Sequence, residues 1–314
     1  MSSACSVPQP KVQSNLESFL HSVTPVVCTK PLSLSSQKAA VDETVEYFTL
    51  KDLWECYEEW SAYGLGTPVA VKGSDVVQYY APCLSAIQLY TNRDKREGVK
   101  LSSGVSEAGN VSGFLTNNSN KTLGTTSIGS SIDHDCLWPA KERDPLAYPY
   151  FQYSETISPF WRLPFVDKIG ELADNFPGLK SLKSIDLSPA SWMSVSWSPI
   201  YHIPKGSVED FTTYFLTYHT LSSCFQDTQG SNGISFPYGV KKEKVESDSE
   251  NKITLPPFGL SSMRMQEHIW IDAGSGDHER LINLHSAAES WLKQLKFGHH
   301  DFDYYARRYV EVEV

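Results

Sequence analysis

The sequence predicts an α+β fold: one domain built on a mainly antiparallel sheet of about six or seven strands, covered by about four helices and interrupted by two long disordered insertions. Two observations carry this expectation. Apolar residues recur at helical spacing in a few well-separated stretches, while other runs are dense in β-branched and aromatic residues. The links between the first of these runs are also too short for parallel crossovers, which favours an antiparallel meander.

Residues 1–13 read as a frayed tail. Ser14 then opens a helix, with Glu17 completing the capping-box pattern, Leu16, Phe19 and Leu20 as its apolar stripe, and Pro25 beyond its end. After a polar stretch from Lys30 to Asp42, Leu53, Trp54, Tyr57 and Trp60 mark a helix over 50–62. Thr49 is its N-cap, Asp52 stands at N3, and Gly64 and Gly66 stop it. "VAVK", "VVQYY" and "LSAIQLY" follow as strands, punctuated by a turn at Gly73-Ser74-Asp75 and a bend at Pro82.

Residues 91–147 centre on the stretch 101–135, which is mostly Ser, Gly, Asn and Thr and cannot bury enough apolar surface to offset its ordering entropy, so they read as a disordered insertion. A second insertion, 226–252, carries "KKEKVESDSE", in which Ser247 and Ser249 have an acidic context suited to phosphorylation. Between the two, Phe165, Ile169, Leu172 and Phe176 share one face of a helix over 165–176, entered at Pro164 and left at Pro177-Gly178. "DFTTYFLTYHTLS" is a strongly β-prone run, and "ITLPPFGLSSMRMQEHIWI" suggests two further short strands. Leu281, Leu284, Ala288, Trp291, Leu292 and Leu295 place the last helix over 278–297, with Gly298 as its C′ residue. The domain is expected to span 14–303, with 304–314 as a C-terminal tail. Trp54, Trp60, Trp197 and Trp291 are expected to be largely buried.

"SWMSVSWSPIYHIP" alternates as a strand does: Met193, Val195, Trp197, Tyr201 and Ile203 share one face, and Ser194, Ser196, Ser198 and His202 the other. Packing of a half-buried strand accounts for its aromatics, and Pro199 demands a bulge or a sheet edge. The competing reading is a flat, serine-lined surface that a partner covers. His202 and His219 lie on strands that could be neighbours; without a nucleophile motif, each reads first as a structural histidine.

The chain carries no G-x-S-x-G elbow, Walker A loop, G-x-G-x-x-G run, H-E-x-x-H helix or kinase signature, so no catalytic or cofactor-binding residue is assigned and no cofactor is expected. "GHHDFDYY", Gly298 to Tyr305, gathers metal-ligating types, yet adjacent residues diverge and no spaced cluster accompanies them, so it reads as a turn after the last helix and no metal is assigned. A net charge of -10 excludes a global basic field, and nucleic acid is not expected as a partner. Six scattered cysteines form no C-x-x-C pair. With no apolar leader and no long apolar window, the protein is expected in the cytoplasm or nucleus, neither secreted nor inserted in a membrane.

"YFTLKDLWECYEEWSAYGLGTPV", "GSDVVQYYAPCLSAIQLY", "LADNFPGLKSLKSIDLSPASWMSVSWSPIYHIP", "FLTYHTLS" and "PPFGLSSMRM" together resemble the plant family catalogued as domain of unknown function 789. The similarity runs from about Ser14 to Asp303, interrupted at the insertions, and implies a plant protein with a shared fold; it brings no activity, cofactor or catalytic residue. Two functions from different classes remain. One is a non-catalytic protein-interaction module with flexible Ser-rich loops, its surface candidates including Ser194, Ser196 and Ser198. The other is an enzyme or small-ligand binder with a pocket around Tyr79, His202, Tyr218 and His219.

Overall fold

A computed structural model of the chain describes residues 14–34, 43–71, 74–92, 147–203, 213–223, 251–272 and 274–310. In chain order these form α1 (Asn15–Ser22), β1 (Val26–Cys28), β2 (Lys30–Leu34), β3 (Glu43–Tyr47), α2 (Leu50–Glu55), α3 (Glu58–Tyr63), β4 (Leu65–Val71), β5 (Ser74–Thr91), β6 (Tyr148–Ser154), α4 (Phe165–Asn175), α5 (Gly178–Ser181), β7 (Trp192–Ile203), β8 (Tyr214–Thr220), β9 (Lys252–Thr254), β10 (Gly259–Met263), α6 (Glu267–Trp270), α7 (Asp277–Leu295) and α8 (His300–Val310). The tail 1–13 lies outside the described residues, as do the two insertions apart from their ends. Those ends are ordered: Thr91 closes β5 opposite Tyr148, and Lys252 opens β9 opposite Cys28.

A curled, antiparallel sheet of six strands, ordered β10-β8-β7-β5-β4, organises the molecule; β6 pairs with the far end of β5, on the same side as β4. "VVQYY" and "LSAIQLY" therefore belong to one continuous strand of 18 residues, and Pro82 does not bend it apart. The reason is local. β4 pairs with β5 up to Tyr80 and β6 begins at Ala86, so residues 81–85 have no strand on that side, where a missing N–H is least costly. Pro199 coincides with a bulge: Tyr79 pairs with Tyr201 but Tyr80 with Pro199, leaving Ile200 unpaired. The polar stretch after Lys30 supplies a strand too, because β2 and β3 form a separate antiparallel hairpin.

Helices cover both faces of the sheet. On one, Phe19 of α1, Trp54 of α2, Phe165 and Ile169 of α4 and Trp270 of α6 join Met193, Val195, Trp197 and Phe215 in the larger core. Phe19 stacks on Phe215 at 3.9 Å and Tyr57 on Phe165 at 4.3 Å. Each such fully buried side chain contributes about 1.5–3 kcal/mol by leaving water. On the other face, Ala288 and Leu292 of α7, Phe297, and Phe302 and Tyr305 of α8 pack on Trp192, Leu216 and Tyr218. Gly259 brings α7 close to β10, since a Cβ there would stand 2.9 Å from that of Ala288. β7 is thus buried on both sides over its first half, and the half-buried alternation expected for it is corrected.

Ser14 caps α1 by accepting the Glu17 N–H, and Thr49 and Asp52 close a full capping box on α2. The helix expected over 50–62 is divided, because the Tyr57 N–H turns back to Trp54 O at 2.9 Å and draws Tyr57 fully into the core. Gly64 takes φ 83 and stops α3, whereas Gly66 is a strand residue of β4. In α4 the buried third position is Ala173, and Phe176 is 41% exposed. Trp54 and Trp197 are buried as expected, but Trp60 and Trp291 are half-buried and the fully buried indoles are Trp192, Trp197 and Trp270. The largest correction lies beyond α7: the expected turn, and the expected tail as far as Val310, form the helix α8, while 311–314 lie outside the described residues.

Candidate functional site

The corner between α7 and α8 builds the site. Lys296, not Gly298, takes the left-handed conformation (φ 51), and its N–H bonds Lys293 O while the Phe297 N–H bonds Leu292 O at 3.0 Å. These are the two bonds of a Schellman motif, sealed by burial of Leu292 and Phe297 in one cluster. The chain is thereby turned back over the sheet face that carries Ser194, Ser196 and Tyr218, with His299 and Asp301 pointing inward at 1% and 3% exposure.

Valence fixes every proton in the resulting network. Arg162 donates from Nη1 and Nη2 to the two oxygens of Asp301, at 2.6 and 2.7 Å. Burial pushes the Asp301 carboxyl up, but the Arg162 bonds and charge, with the Ser85 hydroxyl, outweigh it and hold the group ionised, below its ordinary range. Ser85 therefore donates to Asp301 Oδ2 at 2.5 Å, and its oxygen receives the Nε2–H of His299 at 2.8 Å. His299 Nδ1 is left bare and accepts the Tyr218 hydroxyl at 2.7 Å. Burial drives His299 down to about 4 and the Tyr218 phenol well above its ordinary value, so both stay neutral. The polarity is the reverse of a catalytic serine–histidine pair: here the imidazole donates to the serine, and Asp301 holds Ser85 and Arg162 rather than the ring. A cleft of about 280 Å³ on the outer side of the corner, lined by Leu292, Lys293, Lys296, Phe302 and Asp303, does not include these groups. The arrangement holds elements together; it does not present a nucleophile.

What it holds is a surface loop. Buried Glu155 accepts the Thr156 and Ile157 N–H groups, both at 2.9 Å, and the Tyr153 hydroxyl at 2.6 Å. Arg162 Nε donates to Ile157 O at 2.8 Å, so its guanidinium ties the loop to itself and to α8 together. Between and beside these pins three apolar side chains face outward: Ile157 is 49%, Trp161 82% and Leu163 45% exposed.

A second ordered chain lies on the opposite face. The Trp197 indole N–H donates to Thr217 Oγ1 at 2.9 Å, Thr217 donates to His219 Nε2 at 2.9 Å, and His219 Nδ1 donates to Leu255 O at 2.8 Å. Burial pushes His219 down to about 4 as well.

The residues singled out in the sequence are not brought to one place. Tyr218 and His219 project to opposite faces, Tyr79 stacks on Tyr201 at 4.6 Å, and His202 pairs with Gln78, far along β7 from the partner of His219, Met193. Ser194 and Ser196 are fully buried because α8 covers their face, and Ser198 is half-buried. Ser196 Oγ lies 3.3 Å from the Tyr305 hydroxyl of that helix. Of "GHHDFDYY", His299 and Asp301 enter the network as hydrogen-bonding groups, and among the described residues no three His, Cys, Asp or Glu side chains gather as metal ligands. Sequence reasoning missed Ser85, Glu155, Trp161 and Arg162. The one available signal was a tryptophan beside an arginine in a loop bounded by Pro159 and Pro164.

No helix among the described residues is long and apolar enough to cross a membrane. No curated protein and no solved structure matches the chain. A family model does match, over residues 14–305, and the chain belongs to the family described as protein of unknown function (DUF789).

Proposed function

We propose that the protein is a non-catalytic protein-interaction module whose contact surface is centred on the loop from Ile157 to Leu163. One observation carries this reading: Trp161 is 82% exposed on a loop that is pinned by buried charges at Glu155 and Arg162. Tryptophan is enriched among residues that dominate binding energy, and a loop already held in shape gives up little entropy when it binds. A pocket around Tyr79, His202, Tyr218 and His219 has less support, since Tyr218 and His219 face opposite ways. Location inside the cell fits the free thiols of Cys28, Cys56 and Cys83.

The test is quantitative affinity capture with the full chain and with Trp161→Ala. The expected result is a defined set of proteins held by the parent and lost by the variant, with the unfolding midpoint unchanged because the side chain is exposed. Equal recovery on both baits, or specific recovery on neither, overturns the proposal.

A further inference from the structure

We infer that the partner segment is basic and amphipathic, its apolar residues meeting Trp161 and its lysines or arginines meeting a carboxylate stripe on α4. The inference rests on the Ile157–Leu163 loop being the contact surface. α4 begins at Phe165, two residues after Leu163. Phe165, Ile169 and Ala173 turn one face of it into the core. Asp167, Glu171 and Asp174 follow the i, i+4, i+7 pattern on the opposite face, and all are exposed. From Asp167 to Asp174 the stripe extends about 10 Å at the rise of an α-helix. A partner with positive side chains one turn apart matches that spacing.

Lys168 offsets at most one of these three carboxylates. It approaches Glu171 at 3.1 Å, but its own side chain is only 14% exposed and lies over the Tyr153 ring, 5.3 Å from the centroid. Lys180 on α5 is the nearest exposed cation along the chain after α4. The sign of this face also decides what kind of partner it takes. Anionic membranes and nucleic acids are drawn to lysine and arginine, so a tryptophan loop continued by carboxylates repels both and attracts a cationic protein segment.

The experiment uses a phage-displayed library of random peptides, panned on the intact protein, on Trp161→Ala, and on the combined variant Asp167→Lys, Glu171→Lys, Asp174→Lys. A neutral variant, Asp167→Asn, Glu171→Gln, Asp174→Asn, serves if the lysines disturb α4. Peptides enriched on the parent should combine Leu, Phe or Trp with a net positive charge. A synthetic copy of the best one should bind at least about tenfold more weakly to the α4 variants and weaken with added salt. Enriched peptides that are neutral or acidic, and that depend on Trp161 but not on α4, overturn this inference and leave the loop as the contact surface. Absence of any peptide that distinguishes the parent from Trp161→Ala overturns both. Binding of the protein to phosphatidylserine vesicles in the same salt range overturns the inference in favour of a membrane surface.

Discussion

His219 and His299 are both neutral, both buried and only one strand layer apart, yet they are assembled from different distances along the chain. The bonds of His219 run to Thr217, two residues away, and to Leu255, while Thr217 in turn receives Trp197 from the neighbouring strand. Strand alternation and register suffice to make that chain. His299 joins Ser85 of β5 and Tyr218 of β8, and through Asp301 the Arg162 loop. Its chain forms only when a helix-ending turn returns α8 to the sheet. One histidine fastens strands to each other, and the other fastens a helix and a binding loop to the sheet.

Acid should loosen both at once. Each imidazole has an ordinary value of 6.5 and is pushed by burial to about 4 in the folded state. Between those values the unfolded chain binds more protons, so stability is full above about pH 6.5 and falls as pH drops towards 4. The expected loss is about 3 kcal/mol for each histidine. Asp301, held low by Arg162, adds a further loss as the pH falls below the ordinary carboxylate value of 3.8. Urea unfolding at a series of pH values checks this, and a flat profile from pH 7 to 4.5 contradicts it.

Single substitutions separate the two regions. Asp301→Ala leaves the Arg162 guanidinium buried without its partner and should cost about 3–5 kcal/mol. Trp197→Ala should cost about as much on the other face, through a cavity rather than a charge. Protease accessibility distinguishes them: the Asp301 variant should be cut first in the 156–163 loop, and indistinguishable cleavage patterns would remove the coupling of α8 to that loop. Smaller effects come from single hydrogen bonds. Tyr218→Phe and Thr217→Val each deprive a buried ring nitrogen of its donor and should cost about 1–3 kcal/mol. Nitrogen NMR of the parent should show opposite tautomers, Nε2–H at His299 and Nδ1–H at His219, and the same tautomer at both would refute the proton assignment. Lys296→Gly should raise stability by about 1 kcal/mol, because it removes a Cβ from a left-handed position. A loss there would mean that the Lys296 side chain contributes more than its backbone strain costs.

Much of the sheet and its larger core is legible in the sequence, since α1, α4, α7, β7 and β8 each carry a strong apolar period. The hidden elements share a physical trait: their inward positions are polar or their pattern is short. α8 turns Asp301, Phe302 and Tyr305 inward, a short apolar stripe interrupted by a buried charge, and it starts after a left-handed lysine where glycine is the usual signal. Small hydroxyl residues such as Ser194 and Ser196 suit a solvated face and a tightly covered one equally well, and only the position of α8 decides between them. The pairing of Arg162 with Asp301 joins residues 139 apart, a distance at which neither position informs the other locally. β2 and β6 were obscured by Pro31 and Pro149 within their runs.

The return of α8 also sets an order in time. During synthesis β8 is complete at Thr220, and His300 follows 80 residues later. At roughly 5–20 residues per second, the ribosome adds those residues in roughly 4–16 s. Until α7 and then α8 are made, Trp192 and Tyr218 belong to a sheet whose second face lacks the helices that cover it. The nascent chain thus exposes that apolar face until its last helices arrive.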